Sequence, residues 1–249
     1  MEGRPGYHGG IVQFSARRQV EPWSKLTECV RTGAPVTALD RPEDAASFWG
    51  ELVPALFSLN YPAAAQLGRE LRRIHPEGEL RLLDVAAGSG VWGTAPAQAD
   101  PAIRVAAFDL PDTLVHTRRT VEQFGLQDRF EFRAGDIRKN DLGDAEFDAA
   151  ILGHICHSEG AEHSRRLIAK AARALKPGGT IAIAETIPAD DRSGPPFPLL
   201  FALNMLVFTT EGDTFTLAEF ETWLRDAGFQ DIRTLQTPSP SPLILATRG

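Results

Sequence analysis

The fold of this 249-residue chain is decided by the stretch Leu82-Leu83-Asp84-Val85-Ala86-Ala87-Gly88-Ser89-Gly90. The short apolar run from Leu80 to Val85 predicts a buried strand, and the small residues after it predict a tight turn. The turn continues as Gly88-Ser89-Gly90-Val91-Trp92-Gly93, which fits the G-x-G-x-x-G pattern that joins a parallel strand to a helix. The stretch therefore predicts the first strand and helix of a doubly wound α/β sheet.

After this first strand, short apolar runs alternate with amphipathic stretches, as they do in parallel sheets with crossover helices. We predict five such strands, at residues 80–85, 102–108, 130–133, 149–152 and 180–184. A helix over 161–175 is stopped by Lys176-Pro177-Gly178-Gly179. A capping box from Thr216 to Glu219 opens another helix. The last apolar runs, 232–235 and 243–246, predict a terminal antiparallel hairpin.

The first part of the chain has a helical pattern. Residues 1–20 are Gly-rich and basic, and we expect them to be loosely ordered. Trp23, Leu26 and Val30 fall on one face of a helix that Thr32-Gly33-Ala34-Pro35 ends. Two more helices, 45–56 and 62–74, are predicted with a break at Asn60-Tyr61-Pro62. We therefore divide the chain into a helical segment, 1–76, and an α/β domain, 77–249, with helices on both faces of its sheet.

Composition and charge exclude several classes of protein. With 43% hydrophobic residues, the chain can bury a sizeable core, and its net charge of −7 argues against a nucleic-acid or anionic-membrane partner. Cys29 and Cys156 provide neither a disulfide framework nor the spacing of metal ligands. No signal peptide or transmembrane stretch is visible, and we expect a soluble, cytoplasmic protein.

The glycine turn and the acids after the next strands predict a cofactor of the nucleotide type. Glycines let the backbone approach a ligand, and the following helix N-terminus favours an anionic group. Asp84 could hold a ligand ammonium, and Asp109 could bind ribose hydroxyls. Asp136 could accept a hydrogen bond from an adenine amino group, with Leu110 and Ile137 on the two faces of the ring.

Two cofactors fit these residues, NAD and S-adenosylmethionine (SAM). The sequence has two tyrosines, Tyr7 and Tyr61, and neither is followed four residues later by lysine. The Tyr-Lys pair of short-chain reductases is therefore missing, and the terminal hairpin also suits a methyltransferase sheet better. We favour SAM and keep an NAD-dependent oxidoreductase as an alternative.

Candidate catalytic residues follow the fourth and fifth strands, at the edge where an α/β sheet presents its functional side chains. His154 and His157 come after the fourth strand, and either could act as a general base. Glu185 ends the fifth strand and could bind the second imidazole nitrogen of such a base. His163 adds a third histidine, but no set of ligands surrounds the three, and we predict no metal.

Taken in order, these motifs resemble the plant-type, or caffeate-like, small-molecule O-methyltransferases, which include bacterial members acting on polyketides and other aromatic metabolites. The resemblance runs from about Trp23 to the end of the chain. Phe108-Asp109-Leu110-Pro111 matches a specific motif of that family, and Ile155-Cys156-His157 resembles the segment that bears its catalytic histidine. The resemblance implies that His157 is the base and that Glu185 is a glutamate beside it.

The resemblance also implies that SAM is bound and released as S-adenosylhomocysteine (SAH). The expected cofactor-binding residues are Asp84, Ala86, Gly88, Ser89, Gly90, Asp109, Leu110, Asp136, Ile137 and Gly153. Met205 and Leu206 fall where the family lines its acceptor pocket. Four aromatic residues suggest an apolar, aromatic acceptor, namely Trp49, Phe57, Phe201 and Phe208. The expected reaction is methyl transfer to a hydroxyl of a small aromatic molecule.

The sequence departs from the family pattern in three places. Thr214 stands where the family has a second glutamate beside the histidine, and Ser158-Glu159 replaces the usual Asp-Trp pair. Residues 1–22 precede Trp23, whereas the family carries a winged-helix dimerisation domain before its linker, so most of that domain is expected to be missing. The expectation of a homodimer is weakened accordingly. A SAM-binding protein that has lost methyl transfer stays an alternative.

Overall fold

Seven strands form one mixed sheet in the order β3-β2-β1-β4-β5-β7-β6 in the computed structural model, which describes residues 8–38 and 42–249. The strands are β1 Leu80–Val85, β2 Ile103–Asp109, β3 Phe130–Ala134, β4 Phe147–Gly153, β5 Leu175–Ala184, β6 Phe229–Leu235 and β7 Leu243–Arg248. Strands β1 to β5 are parallel, and β7 runs antiparallel to both β5 and β6. The five predicted parallel strands and the terminal hairpin are confirmed.

Nine α-helices lie in the described ranges. They are α1 Gly9–Phe14, α2 Val20–Trp23, α3 Leu26–Thr32, α4 Pro42–Ile74, α5 Val91–Ala99, α6 Pro111–Gln123, α7 Cys156–Ala174, α8 Pro196–Phe208 and α9 Leu217–Asp226. A π-helical turn, Ser15–Gln19, joins α1 to α2, and a short 3-10 helix, Gln127–Arg129, precedes β3. The predicted capping box is present, because Thr216 and Glu219 exchange both hydrogen bonds at the start of α9. None of the described helices is long and apolar enough to cross a membrane.

Helices cover both faces of the sheet, because the central strands carry apolar side chains that point to each face. In β1, Leu83 and Val85 pack into the cluster that contains residues of α7 and α9. Leu80 and Leu82 point to the opposite face and pack with residues of α4, α5 and α6. The predicted covering of both faces of the sheet by helices is confirmed.

The strand order reverses between β1 and β4, which are neighbours at the centre of the sheet. In open α/β sheets, the crevice outside the carboxyl ends of the strands at such a reversal is where ligands bind. This crevice is therefore the place to look for the predicted cofactor and catalytic residues.

The prediction of two helices over 45–74 was wrong. The structure has one helix, α4, which continues through Pro54 and Pro62. Each proline removes one helical hydrogen bond, but Leu67 and Leu71 are fully buried against the sheet domain. Burial of this apolar face outweighs the local disruption that the prolines cause.

The expectation of loose order was also wrong for residues 8–20, which are mostly helical, and residues 1–7 lie outside the described residues. Phe14 anchors this region in an apolar cluster with residues of α4 and α8. Val30, predicted to share one helical face with Trp23 and Leu26, is 61% exposed, whereas its neighbour Cys29 is buried. The N-terminal helices are ordered by packing that their composition did not reveal.

Candidate active site

The loop between β1 and α5 forms a tight turn at the carboxyl edge of the sheet. Its backbone enters the left-handed region at Ala86, Gly88 and Gly90, with φ of 55°, 55° and 73°. A side chain at position 90 would lie 2.8 Å from Thr117 Cγ2, which only glycine avoids. Thr117 also donates its hydroxyl to the Gly88 carbonyl over 2.8 Å. The turn is held in one shape ahead of the N-terminus of α5, as the binding of an anionic ligand group requires.

Asp109 ends β2 and holds this turn from the next strand. Its Oδ2 accepts a hydrogen bond from the Gly88 amide at 2.8 Å, and its Oδ1 accepts one from the Leu110 amide at 2.7 Å. Burial raises the pKa of Asp109 in spite of these two bonds, which act in the opposite direction. A carboxylate has about four acceptor sites, so Asp109 can still accept hydrogen bonds from a ligand's hydroxyls.

Asp84 lies in β1 beside Asp109, and its carboxylate makes no hydrogen bond of good geometry. The residue is 1% exposed, and both carboxyl oxygens are buried and unpaired by that criterion. Burial, followed by the negative charge of Asp109, raises the pKa of Asp84 well above its usual value, and the nearby Gly93 amide opposes this rise only in part. A buried carboxylate is unfavourable unless a cation or a set of donors meets it. The orphaned oxygens fit a ligand that brings an ammonium group.

Asp136 differs from Asp84 and Asp109, because residues of its own turn already bind its carboxylate. Its Oδ1 accepts a hydrogen bond from the Arg138 amide at 2.8 Å, and its Oδ2 lies 2.9 Å from Lys139 Nζ. Burial would raise the pKa of Asp136, but the bond to Lys139 and the other local contacts lower it overall. Leu110 is 51% exposed, and Ile137 is partly buried. Their predicted contact with an adenine ring stays a prediction.

The start of α7 and the end of β5 bring His157 and Glu185 together. His157 lies in the first turn of α7, and Glu185 follows β5 directly. Its carboxylate accepts from the His157 amide at 3.2 Å and lies 3.1 and 2.9 Å, through Oε1 and Oε2, from Nδ1 of the imidazole. Burial alone would raise the pKa of Glu185, but the His157 contacts and His154 lower it. An ionised Glu185 therefore fixes Nδ1 and leaves Nε2 of His157 free.

His154 is the other histidine that the sequence offered as a base. Its Nε2 lies 2.9 Å from Ser241 Oγ, and its Nδ1 is buried with no partner. Burial lowers the pKa of His154 to about 4, an effect that His157 increases and Glu185 opposes. A group with that pKa is a weak base at neutral pH, which favours His157 over His154 as the base.

Gly153 precedes His154, and the space around it leaves no room for a side chain. A Cβ atom at this position would collide with Trp92 Cδ1 and Nε1. Trp92, in the first turn of α5, thus fills the space at the end of β4 and lies 5.9 Å, between ring centroids, from His154. Sequence reasoning missed this role of Trp92, because nothing local links residues 92 and 153.

A family model of the O-methyltransferase domain matches residues 67–230, which is more than half of the chain. This chain belongs to the O-methyltransferase family. It is 33% identical over 251 residues to the 3-hydroxy-5-methyl-1-naphthoate 3-O-methyltransferase of Streptomyces sahachiroi, covering 96% of this chain and 69% of that protein. It is 30% identical over 253 residues to the tetracenomycin polyketide synthesis 8-O-methyl transferase TcmO of Streptomyces glaucescens, covering 98% and 72%.

Solved structures agree with this assignment. An O-methyltransferase family 2 protein from Planctomyces limnophilus, in complex with apigenin, has a TM-score of 0.77 at 26% identity, with 100% of this chain and 72% of that chain covered. Human N-acetylserotonin methyltransferase, in complex with SAM, has a TM-score of 0.83 with the same coverage, and at 24% identity the likeness concerns the fold. The Rossmann-like class I methyltransferase fold predicted from the sequence is confirmed.

In this O-methyltransferase, helix α7 is interrupted just after the catalytic candidate. Gly160 has φ 76° and ψ 169°, so residues 156–159 form a turn that is separate from the rest of the helix. A side chain at position 160 would lie 2.8 Å from the Glu211 carbonyl oxygen. The Asp213 amide donates to the His157 carbonyl over 2.9 Å. The segment after α8 therefore holds the backbone of His157, a contact that the sequence did not reveal.

Thr214, which the resemblance aligns with the family's second glutamate, lies in that same segment. It is buried, and its hydroxyl donates to the Pro198 carbonyl over 3.3 Å. Of the carboxylates in the described residues, Glu185 is the one that hydrogen-bonds to the His157 ring. No group of three or more potential metal ligands occurs in residues 8–38 and 42–249.

Four aromatic residues suggested an aromatic acceptor, and one of them lies next to His157. Phe201 of α8 packs edge-on against His157, with ring centroids 4.9 Å apart. Trp49 and Phe208 belong to the N-terminal apolar cluster, and Phe57 stacks on Phe124. Leu206 also packs in that cluster, while Met205 is buried. Helix α8 therefore connects the N-terminal helices to the site.

Proposed function

We propose that this O-methyltransferase transfers a methyl group from SAM to a hydroxyl of a small aromatic molecule, with His157 as the general base. The observation that carries the proposal is the buried His157–Glu185 pair, which lies on the same sheet edge as the glycine turn and its acids. Two relatives support the choice of acceptor, because their names specify O-methylation of a naphthoate and of a tetracenomycin polyketide. The motif Phe108-Asp109-Leu110-Pro111 supports the narrower assignment to the plant-type, caffeate-like branch.

For the cofactor, we assign a separate role to each acid. Asp84 would hold the ammonium of SAM, which resolves its unpaired, buried oxygens. Asp109 would accept hydrogen bonds from the ribose hydroxyls while it holds the Gly88 amide. Asp136 would meet the adenine amino group, with Leu110 and Ile137 against the ring. Backbone groups complete the site, from Ala86, Gly88, Ser89, Gly90 and Gly153.

When bound, SAM would supply an electrophilic methyl group. Nε2 of His157 would take the proton of the acceptor hydroxyl, since Nδ1 is already held by Glu185. Glu185 would stabilise the imidazolium that forms, as the buried acid of a catalytic triad does. Alignment of the two substrates would provide most of the rate enhancement, and the base roughly two to four powers of ten.

We further propose that the helical segment, residues 1–76, closes the acceptor side of the α/β domain, residues 77–249. Trp23 donates its indole N–H to Asn204 Oδ1 over 2.9 Å, which ties this segment to α8. Helix α8 also carries Phe201, the ring that contacts His157. A change in the N-terminal segment would therefore reach the acceptor pocket through α8.

A direct test is incubation of the protein with SAM and a panel of hydroxylated aromatic compounds. We expect SAH and a methylated product, identified by mass spectrometry, and a large loss of both with the His157→Ala variant. Full activity of that variant on every acceptor would show that the base is wrongly assigned.

The second candidate function is a SAM-binding protein that no longer methylates. It is favoured by Thr214, which bonds to the Pro198 carbonyl and supplies no charge next to His157. Calorimetry separates the alternatives. SAH binding with no turnover over the whole panel would support the second candidate, and binding of NADH in place of SAH would point to an oxidoreductase.

A further inference from the structure

Glu159 lies two residues after His157 and connects the start of α7 to the turn that follows β3. It ends the short turn at residues 156–159, the catalytic turn, which Gly160 separates from the rest of the helix. Its Oε2 accepts a hydrogen bond from Arg138 Nε at 2.7 Å. The resemblance aligns Glu159 with the tryptophan of the family pattern, and an indole cannot accept such a bond. The ion pair is therefore a feature of this chain.

Arg138 belongs to the turn at residues 136–140, the cofactor turn, which carries two of the proposed adenine contacts, Asp136 and Ile137. In this turn the Asp136 amide donates to Asn140 Oδ1 over 2.8 Å. The Asn140 amide donates in return to the Asp136 carbonyl, also over 2.8 Å. These two bonds close the turn on itself, so its contacts with α7 position it as one unit.

Lys170 and Arg138 make such contacts with different parts of α7. Lys170 lies in the body of the helix, after the interruption, and its Nζ donates to the carbonyls of Ile137 and Asn140 over 2.7 and 2.9 Å. Arg138 binds Glu159, before the interruption. The cofactor turn is thus joined to the body of α7 by a lysine and to the catalytic turn by an ion pair.

A small cavity lies between the cofactor turn and α7, next to the ion pair. Its volume is about 30 Å³, and Ile137, Arg138, Glu159 and Lys170 are among the residues that line it. Such a space holds about one or two water molecules. Side-chain packing therefore leaves a gap here, and the bonds across it hold the two turns at a fixed separation. The Glu159 side chain is 13% exposed, which limits the screening of its charge.

The catalytic turn is held on its other side by contacts that do not involve the cofactor turn. Glu185 binds the His157 ring, and the Asp213 amide donates to the His157 carbonyl. Proton transfer depends on the placement of the base, and a displacement of about 1 Å can cost on the order of a hundredfold in rate. The bond at Glu159 adds the contact that relates His157 to the cofactor turn.

We propose that Arg138 and Glu159 are positioning residues, which fix the catalytic turn relative to the bound cofactor and so direct His157 toward the acceptor hydroxyl. Cofactor binding would order the cofactor turn, and the ion pair would transmit this order to residues 156–159. This link rests on the proposed methyl transfer and adds to it a connection between cofactor binding and the placement of the base.

A double-mutant cycle on kcat tests the link. Arg138→Met and Glu159→Gln should each lower kcat about tenfold at saturating SAM and acceptor, because His157 is less well aligned. The double variant should also lose about tenfold, instead of the roughly hundredfold loss expected for two independent residues. The KM for SAM should rise less than about threefold, since Lys170 still holds the cofactor turn.

Two further variants serve as controls. Arg138→Lys keeps a charged donor for Glu159 and should recover part of the kcat lost in Arg138→Met. Glu162→Gln removes an exposed ion pair with Arg166, on the same helix but after the interruption, and should leave kcat and both KM values unchanged. Melting temperatures, and the Kd for SAH from calorimetry, show that each variant is folded and binds the cofactor.

Hydrogen exchange followed by mass spectrometry measures the link without turnover. In the wild type, SAH should slow the exchange of backbone amides in both the cofactor turn and the catalytic turn. In Arg138→Met, the protection of residues 136–140 should remain, whereas the protection of residues 156–159 should be lost. Glu162→Gln should show the wild-type pattern.

Three results would overturn the link. They are kcat values of both single variants equal to that of Glu162→Gln, losses that multiply in the double variant, and protection of residues 156–159 by SAH that persists in Arg138→Met. Each can occur while methyl transfer by the wild type stands. If the wild type binds SAH but methylates no acceptor, the proposed function fails and the exchange data decide the link. Absence of SAH binding would overturn both.

Discussion

The two ends of the parallel strands differ in how completely their polar side chains are paired. At the amino end, Asp148 of β4 pairs with Lys176 Nζ at 2.7 Å and accepts the Arg81 amide at 2.8 Å. Arg104 and Glu79 lie 3.5 Å apart at the same end. At the carboxyl end, buried polar atoms are left without partners. The first arrangement contributes to stability, whereas the second leaves polar atoms for water or a ligand to satisfy.

The buried, unpaired atoms show how strong this contrast is. Among the described residues there are six such side-chain atoms, and four belong to Asp84, His154 and Thr186 at the carboxyl end. The other two are in Thr94 of α5 and in Arg72, whose guanidinium makes bonds through its remaining nitrogens. Each orphan costs about 1–3 kcal/mol. The unpaired polar groups at the carboxyl end therefore oppose folding unless water or a ligand meets them.

The largest effect that would test this contrast comes from the catalytic pair. We expect His157→Ala to lower kcat by about two to four powers of ten, because no other group takes the proton of the hydroxyl. SAH affinity should change little, since the imidazole contacts Glu185 and Phe201. His163→Ala, on the same helix but outside the pair, is the matched control for stopped-assay kinetics. Equal kcat values for the two variants would contradict the assignment of the base.

Cofactor affinity should show the next largest effect. Asp109→Ala removes the acceptor that holds the Gly88 amide, together with the proposed partner of the ribose hydroxyls. Hydrogen bonds to a charged group contribute about 1.5–3 kcal/mol, so we expect the Kd for SAH to rise by roughly ten- to a hundredfold. Asp112→Ala, in the exposed first turn of α6, is the control. A similar Kd in both variants, measured by calorimetry, would remove Asp109 from the cofactor site.

A smaller effect, opposite in sign for stability and for binding, is expected at Asp84. Its pKa in the folded protein is raised above the ordinary value of 3.8. The stability that it contributes is therefore complete below that value and is lost as the pH rises through the raised pKa. Asp84→Asn should flatten this decline and increase the free energy of unfolding of the ligand-free protein at neutral pH, on the order of 1 kcal/mol.

Urea denaturation over a pH series, with and without SAH, measures both the stability of the ligand-free protein and its stabilisation by SAH. Added SAH should stabilise the wild type more than Asp84→Asn, because the variant cannot offer a carboxylate to the ligand's ammonium. Parallel pH profiles of the two ligand-free proteins would mean that Asp84 is not a source of strain in the fold.

The fold around the proposed cofactor site was predictable from the sequence because its signals are local. The strand β1, the glycine turn and Asp109 lie within about thirty residues, the length of one β-α-β unit. Periodicity and turn residues were enough to position them. The proximity of His157 and Glu185 was also predictable, because both follow strands whose carboxyl ends meet at one edge. Their hydrogen bond through Nδ1 agrees with the expectation from the sequence.

The N-terminal helices and the surroundings of His154 were much harder to predict, because they depend on contacts between distant segments. The helix break expected at Pro62 does not occur, since the buried face of α4 outweighs it. The positions of Trp92 against Gly153, and of Ser241 against His154, join residues far apart in sequence. No local pattern distinguishes such pairs.

The smallest effect is expected at the amino end and completes the comparison. Lys176→Met removes one partner of Asp148, which keeps its bond to the Arg81 amide. Lys176 is partly exposed, so the free energy of unfolding should fall by at most about 1 kcal/mol. We expect unchanged kcat/KM and unchanged SAH affinity, since this end of the strands faces away from the site. A loss of activity comparable to that of the carboxyl-end variants would show that the two ends are coupled, and the orphaned atoms would then be no guide to where ligands bind.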